Sequence, residues 1–257
     1  MNVSTRSKQT NPSTSDNQPK SGTEDWQSHA KHRGRVLHRE SLANNVNSYI
    51  VEKPEGFEFL PGQAVELAID QENWQEEKRP FTMTSLPSDP RLEFIVKSYP
   101  TEQFPDHDGM TEHLGADINV GDRVLFGDPW GAIQYQGPGV FIAGGAGMTP
   151  FIAILRQLHQ EKRLEGNRLF FSNQTAKDVF LQSELFRMLG HSVVCTLTDQ
   201  EHRDFEHGRV DKQWLQNRVD NWEQNFYLCG PPKMVEQIQS TLMELGVSEE
   251  KIVREQS

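Results

Sequence analysis

Missing from this chain of 257 residues is any run of 18 apolar side chains, which a membrane-crossing helix would require. Its first residues also lack the apolar segment of a secretory leader, so the expectation is a protein that works in the cytoplasm without membrane insertion. Cysteine is scarce. Cys195 and Cys229 form no CxxC pair and are too few for a four-cysteine iron–sulfur cluster or a disulfide framework, and no metal site is expected. Positive charge is in deficit as well: the formal net charge of −11 argues against nucleic acid, whose phosphates call for a surplus of Lys and Arg. One locally basic run, KHRGRVLHR at 31–39, reads either as a solvated strand or as a dock for an acidic protein. Residues 1–28 hold only Met1, Val3 and Trp26 as apolar side chains. Such a stretch cannot offset its ordering entropy, and a disordered tail is expected there.

What remains divides into two grammars. Over 29–137 the chain gives short stretches such as SYIVE and AVELAI, in which apolar and polar residues alternate as in half-buried antiparallel strands. Pro61-Gly62, Gly121-Asp122 and Asp128-Pro129 punctuate them, and only GMTEHLG interrupts with a helical turn. Strands at this spacing point to a small antiparallel barrel. Over 138–257 each apolar run, GVFIAG, RLFFS, SVVCTLTD and NFYLCG, is followed by a stretch of helical periodicity, which points to a doubly wound parallel sheet. The last helix should stop at Gly246.

Four short stretches carry chemistry. In VFIAGGAGMTPF the glycines follow a strand and precede a helix whose first turn can hold Pro150. Backbone N–H groups and the helix dipole there suit a pyrophosphate, so this is read as a dinucleotide site. After the next strand come Ser172, Asn173 and Gln174, with Lys177 the nearest cation. The absence of arginine favours NADH over NADPH, although Asn173 and Thr175 are equally placed to cap the next helix. YLCGPPKM brings Cys229 to the carboxyl end of the sheet, where Gly230 permits close approach to a ligand. With no His or Asp evidently paired to it, the cysteine is placed in the nicotinamide pocket and not as a nucleophile. In the first half, EEKRPFTMTS sets a cation, a ring and hydroxyls together, a combination that suits a flat phosphorylated ligand, or else a surface charge beside a core ring.

Taken in order, RPFTMTS, FIVKSYPTEQFPDHDGMTEHL, GGAGMTPF, LFFSNQTAKDVFLQSEL and CGPPKM resemble the ferredoxin-NADP reductase superfamily, particularly its NADH-dependent cytochrome reductases and the flavin module of nitrate reductases. The resemblance covers about residues 30–255. It implies two domains, an antiparallel β-barrel that binds FAD followed by an α/β doubly wound domain that binds NAD(P). On the family pattern Arg79 and Pro80 would lie at the FAD pyrophosphate and Phe81 against the flavin. Thr82 would hydrogen-bond flavin N5, the hydride acceptor. Ile95, Lys97 and Tyr99 would line the FAD, and Gly109, Met110 and Thr111 would offer N–H groups to its pyrophosphate. Gly144, Gly145, Gly147 and Pro150 would hold NADH or NADPH, with Thr149 between the two rings. Asn173 and Gln174 would lie towards the adenosine, and Cys229, Gly230, Pro231 and Met234 towards the nicotinamide. Two departures stand out: Phe81 replaces a usual tyrosine, and no aromatic follows Tyr227 where the family commonly ends on a ring over the flavin.

The implied reaction is hydride transfer from nicotinamide to bound FAD, then electron release to an external acceptor: a flavodoxin, ferredoxin, cytochrome or small acceptor. Two rivals are a flavin or ferric reductase that takes flavin as a substrate, and a non-catalytic redox-responsive regulatory subunit.

Overall fold

The alternating stretches of the first half pair as their period of two dictates. The computed structural model describes residues 30–105, 107, 109–131 and 133–255; the tail expected at 1–28 lies outside them. Six antiparallel strands, β1 (His32–Ala43), β2 (Val46–Glu52), β3 (Ala64–Ile69), β4 (Arg79–Thr82), β5 (Arg91–Lys97) and β6 (Arg123–Phe126), form one sheet in the order β4-β3-β6-β1-β2-β5. A bridge between Met83 and Phe94 joins its two ends, so the sheet closes into a barrel. Helix α1 (Met110–Ala116) lies between β5 and β6 in sequence. The inward side chains, among them Val36, Leu67, Leu92, Phe94 and Phe126, make the barrel core.

Half-burial does not hold for β2 and β3. All but two residues of β2 and all but one of β3 are buried. On β2 the second domain covers part of the outer wall at Val46, and on β3 the outward Ala68 is covered by Leu125 and Ala30 of the barrel domain itself. Leu92, Phe94 and Val96 of β5 point into the barrel, while Ile95 joins Val46 and Ile133 in a core cluster with Phe141, Phe151 and Phe171 of the following domain.

That domain is a parallel sheet of β7 (Gly139–Gly144), β8 (Arg168–Asn173), β9 (Val193–Leu197), β10 (Glu206–His207), β11 (Asn225–Cys229) and β12 (Ile252–Arg254) in the order β10-β9-β8-β7-β11-β12. Helices α2 (Thr149–Gln160), α3 (Gln182–Leu189), α4 (Lys212–Gln216) and α5 (Pro232–Glu244) make the connections. The two edge strands β10 and β12 are too short to leave a pattern in the sequence. Helix α3 starts only at Gln182 because Leu181 before it is left-handed, with φ 54°. Helix α5 ends at Glu244, and Gly246 at φ 93° turns the chain away as expected. Strand order reverses between β7 and β11, which makes their carboxyl ends a topological switch point where α/β sheets bind ligands.

The basic run at the start of β1 is paired on the surface of the barrel domain. Lys31 pairs with Asp128, Arg33 with Asp70 at 2.9 Å and Arg35 with Glu52 at 2.6 Å. Arg39 donates to the carbonyls of Ile118, at 2.8 Å, and of Gly115 near the end of α1. Each cation is answered by a neighbouring strand or helix end, which favours the solvated strand over a dock for an acidic protein.

Candidate functional site

At the switch point two glycine turns interlock. Strand β7 ends on Gly144, followed by Gly145 at φ 52° and the buried Gly147. A methyl group on Gly144 would meet the Met234 sulfur at 2.5 Å and Pro231 Cδ at 2.9 Å. One on Gly147 would lie within 3.0 Å of the Cys229 carbonyl and the Gly230 nitrogen. Gly230, at φ 157°, stands 3.0 Å from the Gly144 backbone by the same measure. Thus Gly144, Gly147, Cys229, Gly230, Pro231 and Met234 form one cradle from two distant stretches, packed so closely that positions 144, 147 and 230 leave no room for a Cβ. The Thr149 hydroxyl donates to Ala146 O at 3.0 Å and Pro150 occupies the first turn of α2, so that turn is fixed without a side-chain cap on its amides.

Beside the cradle, register pairs Gly144 with Ser172, and Asn173 follows at the end of β8. Asn173 is 5% exposed, and neither polar atom of its side-chain amide has a hydrogen-bond partner among the described residues. A buried amide in that state is costly, on the order of 1–3 kcal/mol per group, unless a ligand answers it. It is not a cap: Thr175 and Asp178 form the capping box of the next turn themselves. Gln174 is exposed. A narrow glycine cradle beside an unanswered amide fits a pyridine nucleotide. Burial, with the Glu255 carboxylate nearby, pushes the Cys229 thiol up to about 12, so it stays protonated at neutral pH.

On the barrel, Arg79, Pro80, Phe81 and Thr82 are successive residues of β4. Register sets Thr82 opposite Ala64 and Phe81 opposite Val65. Phe81 is half-buried with its inner edge on the barrel core, and Thr82 is buried. Strand β4 thus offers a cation, a partly open ring and a sheltered hydroxyl in four residues, a donor set that fits a flavin nucleotide. Gly109, at φ 84°, begins α1 with no side-chain cap, Met110 is buried, and Thr111 Oγ1 accepts from the Tyr99 backbone at 3.3 Å. The Lys97 ammonium lies 3.7 Å from Asp178 of the second domain, so Ile95 and Lys97 both turn their side chains to the domain contact.

Two groups of aromatic rings pack beside these residues, and of their members only Trp74 lies outside the stretch FIVKSYPTEQFPDHDGMTEHL. Tyr99 stacks on His107 at 4.4 Å with Phe104 edge-on at 5.2 Å. Trp74, from the β3–β4 loop, stacks on His113 of α1 at 4.5 Å, and the edge of its ring comes within 3.7 Å of a methyl group built on Gly109. The one signal in the sequence was a lone tryptophan in the polar stretch DQENWQEEK. Cavities of about 360 and 560 Å³ open beside Ala30–Arg33 and Lys53–Phe59, and no motif residue lines either. Among the described residues no group of His, Cys, Asp and Glu could hold a metal, and no helix is long and apolar enough to cross a membrane.

Comparison with known proteins agrees with this division. The model of the oxidoreductase FAD-binding domain matches residues 33–135, and that of the oxidoreductase NAD-binding domain matches 141–240. The reductase component of propane 2-monooxygenase from Rhodococcus jostii is 29% identical over 238 residues, 86% of this chain and 62% of that protein. The ferredoxin–NAD(P)(+) reductase component of the naphthalene 1,2-dioxygenase system of Pseudomonas putida is 25% identical over 233 residues, 86% of this chain and 67% of that one. The chain therefore spans under two thirds of the first of these relatives. Among solved structures, a ferredoxin NADP+ reductase from Neisseria gonorrhoeae with bound FAD and NADP superposes with a TM-score of 0.74 at 19% identity, covering 87% of this chain and 97% of that one.

Proposed function

The chain belongs to the ferredoxin-NADP reductase superfamily, with an FAD-binding domain ahead of an NAD-binding domain, and on that premise we propose that it is an FAD-dependent NAD(P)H oxidoreductase, NADH-preferring, that feeds an external electron acceptor. When bound, the two cofactors supply the chemistry, hydride transfer from the nicotinamide to the flavin. The protein's part is placement. Arg79 pairs with phosphate, the open side of Phe81 supports a flat ring, and the Thr82 hydroxyl offers a hydrogen bond at the ring edge. The cradle of Gly144, Gly147 and Gly230 lets backbone N–H groups reach a second nucleotide, and Asn173 gives its unanswered amide to that nucleotide's adenosine side. Holding two reactants in line in this way is worth on the order of 7 kcal/mol of a barrier.

The observation that carries the reading is the interlocked pair of glycine turns at the switch point, where no Cβ fits. Neutral Asn173 and Gln174, with no arginine beside them, support NADH. The boundary between the domains is placed at Gly137–Pro138, in the stretch between β6 and β7. The acceptor is assigned to the class the relatives name, a ferredoxin or the oxygenase component of a multicomponent system. Anaerobic titration with NADH and, separately, NADPH, followed at the flavin absorption band, tests the proposal. Bleaching at lower NADH than NADPH is expected, and a flavin that neither nucleotide bleaches overturns it.

A further inference from the structure

Helix α2 carries a second feature of its own. Arg156 follows Thr149 by seven residues, so the two side chains share one face of the helix about two turns, or ~10.5 Å, apart. At Arg156 that face meets the barrel. Its Nη1 donates to the carbonyl of Thr84 at 2.8 Å and to the Glu93 carboxylate. Its Nε and Nη2 donate to the two oxygens of Glu184 at 2.6 and 3.0 Å. Thr84 lies two residues beyond Thr82, Glu93 is on β5 and Glu184 is on α3, so one guanidinium joins three elements of two domains. Glu93 is held in turn by the hydroxyls of Ser48, at 3.0 Å, and Thr84, at 2.8 Å.

All three charged side chains are about four-fifths buried, at 21% exposure for Arg156, 16% for Glu93 and 22% for Glu184. Burial alone would depress the guanidinium pKa; its hydrogen bonds to Glu184 and Glu93 and their negative charge outweigh burial and raise it instead. A buried ion pair is weak as a source of stability, since apolar packing of the same volume does as well. What apolar packing cannot supply is direction. A planar fork satisfied on three sides accepts one orientation, and lysine, a point charge, cannot reproduce it.

We infer that Arg156 is a positioning residue that locks α2 in register against the segment after β4, and so fixes where Thr149 stands relative to Thr82. The inference rests on the proposed function in taking Thr82 and Thr149 to flank the reacting rings. Arg156 itself is placed at neither ring.

The test uses the full chain with FAD, comparing Arg156→Lys and Glu184→Gln with the parent protein. At saturating NADH the limiting rate of anaerobic flavin reduction should fall about tenfold in Arg156→Lys, because a small misplacement is costly in rate, and less in Glu184→Gln. The NADH concentration giving half that rate should change less than about twofold, since the binding contacts are untouched. The long-wavelength charge-transfer absorbance should weaken. In the nucleotide-free proteins, hydrogen–deuterium exchange across 83–94 should quicken in the same order. A merely structural role would lower the melting temperature and leave rate and charge-transfer absorbance alone, and that result overturns the inference. If Arg156→Lys does not fold, Glu184→Gln decides, and an unchanged rate there overturns it. If neither nucleotide bleaches the parent flavin, the proposed function fails. The exchange measurement still judges the lock, which unchanged exchange overturns.

Discussion

Alanine at Gly147 puts the switch-point cradle to a direct test. The methyl group would come closer than 3.0 Å to the carbonyl oxygen and carbon of Cys229 and to the nitrogen of Gly230. All of these are main-chain atoms at the end of β11, so none can swing aside. Alanine at Gly144 is the matched control. Its nearest neighbour is the Met234 sulfur at 2.5 Å, the middle of a flexible thioether, although Pro231 Cδ at 2.9 Å must also give. Overpacking of this kind costs about 1–3 kcal/mol, and the rigid site belongs at the upper end and the yielding one at the lower. For a chain of this size the melting temperature should then fall by about 6–12 °C in Gly147→Ala and about 2–4 °C in Gly144→Ala. Because relief of the clash drives the turn after β7 away from β11, nucleotide affinity should fall with stability, most in Gly147→Ala. Thermal melts, FAD content by absorbance and titration with NAD+ measure the three quantities, and FAD content should not change. A Gly147→Ala protein that melts within about 2 °C of the parent and binds nucleotide equally well would refute the close contact of the two turns.

Replacing Thr82 by valine should slow flavin reduction about tenfold, the worth of one hydrogen bond in the transition state, while FAD stays bound; stopped-flow bleaching at the parent rate would remove Thr82 from the mechanism. Arg39→Ala should lower stability by about 2 kcal/mol, since it strips charge-assisted bonds from the carbonyls of Gly115 and Ile118. Arg35→Ala, at a surface pair with Glu52, should change stability by less than about 1 kcal/mol; equal losses in urea unfolding would contradict this. Burial pushes the Tyr49 hydroxyl and the Cys195 thiol up to about 12, from usual values of 10.0 and 9.0. Folded values above unfolded ones mean that their contribution is complete below about pH 9 and is lost as pH rises towards 12, so melting temperatures should decline across that window. A flat profile there would show that both groups titrate alike in the two states.

The sequence declared those parts of the molecule that depend on local rules. Strand followed by glycine turn and helix was readable in VFIAGGAGMTPF because φ, close approach and helix start all act within twelve residues. The barrel was readable from its turns. Its degree of burial was not, because alternation in SYIVE and AVELAI reports the two faces of a strand and cannot register what covers the outer one, the second domain at Val46 and Ala30 with Leu125 at Ala68. The basic run at 31–39 looked like a patch because its partners Asp70, Glu52 and Asp128 lie 17 to 97 residues away. Arg156 and Trp74 escaped notice for the same reason: each gains its meaning from a contact across the fold. Asn173 was singled out for its position; that its buried amide has no partner among the described residues is visible only in three dimensions.

The cluster that seats Val46, Ile95 and Ile133 among Phe141, Phe151 and Phe171 bears on how such a protein can be recombined. A hybrid joined at Gly137–Pro138 cuts the chain where strands are few, yet it divides this cluster between two parents. The exchanged half would then meet a foreign wall at Ile95 and foreign charges at Glu93 and Lys97. Interchangeability of the two halves should therefore depend on the barrel residues that face the nucleotide domain, and a working hybrid should carry 91–97, Val46 and Ile133 over together with that domain.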